Sequence, residues 1–266
     1  MLKKISLVTA TAASLLTATP VFGAHPLITD DTGTQGKGKI QVELNNAFAW
    51  NRTDDGGVNV KEDTGETALA LSCGLAENID LVVAIPFVWY TLRENGLTVA
   101  DDSGIGDMSL EIKLRVYENE ENGLSFAVKP GISIPTGDER QGFGSGEFSP
   151  GITLIATHEG DFGALHANVG YSRNNYKNED DDAASRDDIW HASIAAELNM
   201  TERLRSVADI GTETSEDAKS GTHPVFLIGG LIYSVSDNLD LDIGLKCGLN
   251  DAETDTALLA GLATRF

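Results

Sequence analysis

Three groups of side chains in this sequence have types and spacings that chemistry could use. His191-Ala192-Ser193 sets an imidazole and a hydroxyl two residues apart, so that on an extended strand both face the same way and serine can pass its proton to histidine. Glu179-Asp180-Asp181-Asp182, with Asp187 and Asp188 after it, gathers carboxylate oxygens of the kind that hold hard cations. The third group is dispersed. Acids at Glu43, Glu66, Asp80, Asp107, Glu111, Glu197, Asp209, Asp240 and Asp242, and bases at Lys39, Lys113, Arg115, Lys129, Arg205, Lys246 and Arg265, occupy the polar parity of segments whose other parity is apolar.

The elements that must position these groups read as strands. Ile40, Val42, Leu44, Phe48 and Trp50 alternate with Gln41, Glu43 and Asn45; Ile79, Leu81, Val83, Ile85, Phe87 and Trp89 form another such face. The pattern recurs until Leu258, Leu262 and Phe266, giving twelve segments, most about ten residues long, the length a tilted strand needs to cross a bilayer. No greasy-face position is charged, as expected where Lys or Arg facing mid-bilayer costs about 2–4 kcal/mol. Connections alternate in length. Short ones fall at 76–78, 118–123, 159–161, 199–203 and 236–238. Long polar ones fall at Asn51–Thr64, Arg93–Ser103, Thr136–Gly146, Arg173–Asp188, Thr212–Thr222 and Asn250–Thr256. Aromatic residues cluster near both ends of the segments, as two membrane interfaces select.

Composition narrows the alternatives. Among 266 residues, 19 Lys and Arg stand against 41 Asp and Glu, a formal net charge of −22, which leaves no basic surface for nucleic acid. No apolar run is long enough for a transmembrane helix. Met1–Gly23, with Lys3 and Lys4 before an apolar stretch, reads as a secretory signal peptide. Residues 24–38 are polar, rich in Gly and Thr and without period, a segment that could fold into a barrel lumen as a hatch or trail outside it.

Several stretches resemble one family: His25–Glu43, Gly104–Val116, Ser133–Ile152 with its Pro135–Asp138 and Gly144–Gly146 pieces, and the closing Leu239–Phe266. The family is that of bacterial outer-membrane β-barrels named as transporters of the meta pathway of phenol degradation. The resemblance implies a small barrel that passes small, in part aromatic, molecules.

The expectation is therefore an all-β, 12-stranded antiparallel transmembrane β-barrel of the outer membrane, spanning residues 39–266 after the signal peptide (1–23) and the 24–38 segment. It would act as a channel for passive uptake of small organic solutes. The lumen would be lined by Glu43, Asn45, Glu66, Glu111, Lys113, Arg115, Lys129, His166, Asn168, His191, Glu197, Arg205, Asp209, Asp240, Asp242, Lys246 and Arg265, a nearly balanced interior. Inward small residues such as Gly244 and Gly261 leave room for a path. Expected partners are the solute, outer-membrane lipid bridged by divalent ions at the acidic loops, and the barrel-assembly machinery through terminal Phe266. No catalytic residue, cofactor or metal is expected. A structural or adhesive barrel with a filled lumen shares the same features.

The enzyme alternative is a membrane-embedded lipid hydrolase, since twelve-stranded outer-membrane phospholipases carry His and Ser two apart. Here the Asn-Gly that should follow the serine is replaced by Ile194-Ala195, alternation points His191 and Ser193 into the lumen, and no third orienting residue is identifiable. The acidic run lacks the spacing of known calcium loops and reads as a solvated outer loop. Cys73 and Cys247 share the lipid-facing parity and stand too far apart around the barrel to bond.

Overall fold

A computed structural model describes residues 25–55 and 57–266, so the expected signal peptide at 1–23 lies outside the described residues. The strands are β1 (Ile40–Asp55), β2 (Val58–Ala76), β3 (Ile79–Glu94), β4 (Leu97–Ile105), β5 (Met108–Asn119), β6 (Leu124–Ile134) and β7 (Ser149–Gly160). After them come β8 (Gly163–Arg173), β9 (Asp188–Asn199), β10 (Leu204–Glu213), β11 (Val225–Ser236), β12 (Leu239–Gly248) and β13 (Thr256–Arg265). Each pairs antiparallel with its neighbours, and β1 closes on β13 from Gln41↔Arg265 to Trp50↔Thr256. Phe266 seals the seam, its N–H donating to Ile40 O at 2.8 Å while its carbonyl accepts from Ile40 N.

The thirteen strands make twelve barrel positions, because β4 and β5 share one. β5 pairs with the lower part of β3 (Ile79–Ala84) and β4 with its upper part (Phe87–Glu94). The break falls at Gly106-Asp107. There the Asp107 carboxylate turns aside to accept from Gly137 N at 2.9 Å and from Ser145 N and Oγ at 2.8 and 3.0 Å. Phe143 is buried against Tyr90, with ring centroids 6.1 Å apart. The stretches Gly104–Val116, Pro135–Asp138 and Gly144–Gly146, far apart in sequence, thus meet at one joint in the wall.

Two connections expected as loops are strand. Asn51–Thr64 and Arg93–Ser103 belong to hairpins in which β1 pairs with β2 out to Asp55↔Val58, and β3 with β4 out to Glu94↔Leu97. Above the bilayer both faces of a strand meet water, so side-chain alternation is no longer selected and backbone pairing alone continues the ladder. The acidic run forms a short helix, α1 (Glu179–Ala184), whose first turn carries its acids and whose Asn178 side chain accepts from Asp180 N. That placement sets negative charge at the positive end of the helix.

Burial is the inverse of a water-soluble barrel. Leu154 and Ile194 on the outer surface are 54% and 60% exposed, while Lys129, Asp80 and Asp209 inside are at most 2% exposed. A wall that buries its charges and presents its leucines and isoleucines outward suits a hydrocarbon surround.

Candidate functional site

The lumen is the site. Its short-connection end is called inner here and its long-connection end outer. Residues 25–39 run up through it from the inner end. Gly38 N donates to Gly74 O at 2.8 Å, Gln35 N to Asp80 Oδ2 at 2.9 Å, and Thr32 N to Thr157 Oγ1 at 3.1 Å. At mid-height Ile28 N and Thr29 N both donate to Asp209 Oδ2 at 2.8 Å, and Thr29 Oγ1 donates to Asp209 Oδ1 at 2.7 Å. His25 ends the run against Asp242.

Asp30 is the central tie. Its two oxygens lie 2.7 Å from Lys113 Nζ and 2.8 Å from Lys129 Nζ, and Lys129 also faces Glu111 at 3.4 Å. With its amide turned to satisfy both groups, Asn168 accepts from Asp30 N at 2.6 Å and donates to Asp30 O at 3.0 Å. Asp30 itself is 1% exposed. A carboxylate this far from water is tolerable only because two ammonium groups replace its hydration, while the Asn168 amide holds the Asp30 backbone.

The glycines read as leaving a path are filled by this segment. A Cβ on Gly244 would lie 2.8 Å from the Pro26 ring, and one on Gly261 would lie 2.6 Å from His25 Nδ1. The missing side chains make room for the segment rather than for an open bore.

The segment divides the remaining space into two chambers. The inner one, about 560 Å³, is an ion-pair lattice. Arg205 reaches Glu197 at 2.6 Å and Asp240 at 3.3 Å; Arg265 adds a contact to Asp240 at 3.1 Å; His166 bonds Thr157 at 3.0 Å and faces Glu197 at 3.4 Å. Glu43 accepts from Asn45 Nδ2 at 3.2 Å, and Arg115 sits at the inner rim paired with Glu118 at 2.9 Å.

The outer chamber, about 260 Å³, is different. Glu66, His191 and Lys246 line it, as do three acids that the sequence reading assigned to strand ends or loops: Glu213, Glu216 and Glu253. Lys246 is engaged by Glu253 at 2.9 Å and lies over the Phe226 ring, 5.3 Å from its centroid. Burial pushes the Glu216 carboxyl well above the usual carboxylate range, and nearby Glu213 pushes it the same way. Beside these acids lies an inward apolar cluster of Ala49, Phe226, Ile228, Ala257 and Leu259, with Ile28 and Ala47 packed on it.

His191 and Ser193 do meet, Nε2 to Oγ at 3.0 Å, inside the lumen. Ser193 Oγ also accepts from Thr29 Oγ1 at 2.7 Å and is buried. Among the described residues no cluster of three or more His, Cys, Asp or Glu side chains is arranged to hold a metal. In the outer loops, a hydrogen bond from Lys177 holds the Glu139 carboxyl below its usual range, and burial pushes the Tyr176 hydroxyl up to about 12.

The sequence pattern of the family described as "Putative MetA-pathway of phenol degradation" matches residues 25–266. The chain belongs to that family. Among solved structures, the barrel is similar to an outer membrane channel from Pseudomonas putida F1, with TM-score 0.68 and 13% identity over 89% of this chain and 98% of that one. It is also similar to the translocator domain of autotransporter NalP from Neisseria meningitidis, with TM-score 0.55 and 14% identity over 97% of this chain and 98% of that one. KdgM porin, solved in complex with disordered oligogalacturonate, gives TM-score 0.52 and 10% identity over 85% and 99%. At these identities the likeness is one of fold. No curated protein sequence matches the chain. The phenol-degradation family member is thus a closed twelve-stranded barrel of the outer-membrane type.

Proposed function

We propose that the protein is an outer-membrane channel of a Gram-negative bacterium for passive uptake of small organic solutes, aromatic ones among them, with the N-terminal segment as its hatch. The observation that carries the reading is the division of one lumen into two chambers by a single stretch of chain, held by side-chain contacts rather than by strand pairing. A hatch of this construction can leave or shift without opening the wall, since its ties between residues 25 and 35 each involve a side chain, and only Gly38 and Lys39, bonded to the Gly74 backbone, continue the β1–β2 ladder and anchor it.

The reading includes no catalytic step. Ser193 faces the lumen, where Thr29 already donates to it, and the greasy outer wall that meets acyl chains carries neither group of the pair. The two further partners in the reading are barrel-assembly machinery at Phe266, which is exposed beyond the seam, and divalent-bridged lipid headgroups at the acidic outer loops.

Single-channel recording of the purified, folded protein in a planar bilayer tests the proposal. Discrete conductance steps that are interrupted by phenols, aromatic acids or sugars support it and sort the solute class. A silent bilayer with correctly folded, heat-modifiable protein would instead favour the structural barrel with a filled lumen.

A further inference from the structure

One amide faces the lipid. Along the outward parity of the wall, the strand positions between the two aromatic girdles are apolar, small or hydroxyl-bearing, and among the described residues the exception is Asn46. It stands about midway along β1 between Ile40, bonded to Phe266 at the inner seam, and Trp50 at the outer girdle. Its Oδ1 accepts from Thr67 Oγ1 at 2.9 Å, and its Nδ2 donates to Ala260 O at 3.2 Å. An amide carries two donor hydrogens and two acceptor lone pairs. One N–H and one lone pair therefore remain on a half-buried side chain, at a depth where hydrocarbon offers a partner to neither.

The wall is cut back around this amide. Register places Ala260 and Thr67 on either side of it, on β13 and β2. Leu258 and Phe48 rise above that row, and Leu262, Leu44 and Leu69 below it. Membrane-embedded segments associate where small side chains let backbones approach and polar groups bond across the contact. The bonding capacity left on Asn46 is met in full by a second Asn46, since two amides related by a two-fold axis exchange N–H···O bonds reciprocally. For both barrels to keep one orientation in the bilayer, that axis must lie along the membrane normal. Strands tilted by about 40° then cross at about 80°, so the contact centres on the point where β1 crosses β1.

We infer that the protein forms a two-fold dimer through its β13–β1–β2 face, with the Asn46 amides of the two copies bonded to each other on the axis. The inference is independent of the channel reading, because each lumen is complete within one chain.

The test reads self-association and its place separately. Sedimentation equilibrium of the folded, heat-modifiable protein in detergent is expected to show monomers in balance with dimers. Asn46→Leu keeps an apolar body toward the lipid and removes the amide; it weakens the dimer about tenfold, the size of a lost pair of hydrogen bonds between membrane segments. In vesicles, donor and acceptor dyes are placed at Asp54→Cys, near the tip of β1, or at Asp182→Cys, in α1 between β8 and β9 on the far side of the barrel, both in a Cys73→Ala/Cys247→Ala background. Energy transfer between copies labelled at position 54 is expected to exceed that at position 182. A protein monomeric in both settings, equal transfer at the two positions, or an Asn46→Leu variant that associates as the parent does overturns the inference. So does a monomer whose Asn46 face holds a lipid or an unrelated protein. If Asn46→Leu fails to fold, the two labelling positions decide.

Discussion

Below the N-terminal segment, Glu197 and Asp240 both lie within 3.3 Å of Arg205, and Arg265 adds a second contact to Asp240. Above it, Glu66 meets no base among the described residues, and Lys246 is held by Glu253. The difference follows from where each chamber gets its charges. Inner acids and bases sit on strands whose register fixes them at neighbouring positions, as Glu197 opposite Val207 lies diagonally from Arg205. The outer acids come partly from strand tops and from loops that turn inward, Glu213, Glu216 and Glu253, so their neighbours are set by loop folding rather than by register, as with Glu253 on Lys246. Inner charges are spent on holding the structure. Among the outer acids, Glu253 is spent on Lys246, while Glu66 meets no base among the described residues.

Substitutions can break that contrast, and the largest effects fall on the boundary between the chambers. Asp30→Ala leaves Lys113 and Lys129 buried without their shared carboxylate, a loss of about 3–5 kcal/mol for one partner of a buried ion pair. The segment is then expected to leave the lumen, which tryptic cleavage at Lys37 in the folded protein would report as a faster cut than in the parent. Next comes Arg205→Ala in the inner chamber, which leaves Glu197 with His166 alone and Asp240 with Arg265 and Ser234. It should cost about 2–4 kcal/mol and lower the temperature at which the folded band disappears on a heat-modifiability gel. Gly244→Ala drives a methyl to within 2.8 Å of Pro26 and should cost about 1–3 kcal/mol by overpacking, loosening the segment while leaving the wall intact. Glu66→Gln in the outer chamber sharpens the comparison from the other side. With no ion pair to lose, it should move the same melting temperature by less than about 1 kcal/mol equivalent, and upward. A fall as large as that of Arg205→Ala would mean that Glu66 has a structural partner after all. Smallest of all is His191→Ala, which should leave phospholipid hydrolysis at the background level of the parent; any lipid cleavage lost with it would restore the enzyme reading.

Much of the wall was legible in the sequence, because alternation is imposed residue by residue by lipid on one face and lumen on the other. The same rule placed the inward parity of residues such as Glu43, Lys129 and Asp209. It failed wherever that two-sided environment ends. Asn51–Thr64 reads as loop yet pairs as strand, since both its faces meet water above the bilayer. Residues 25–38 carry no period because their positions are set by partners far along the chain, such as Asp30 with Lys113, 83 residues away. The count of inward charge included Asp107, which turns aside to Gly137 and Ser145 at the break in the wall, and it concealed a separation. Whether an acid meets a base depends on register and on loops folding inward, and neither is written in the spacing. His191 and Ser193 show the converse: spacing predicted their contact, and only the surroundings, Thr29 on one side and lumen on the other, show what that contact faces.

The central claim is that one segment, tied at Asp30 and Asp209, separates the chambers and limits passage through the barrel. Single-channel conductance of the folded parent beside its Asp30→Ala/Asp209→Ala variant tests it most directly. The account predicts small or rare openings in the parent and large, stable steps in the variant, with both proteins equally heat-modifiable. Equal conductance in the two folded proteins would contradict it.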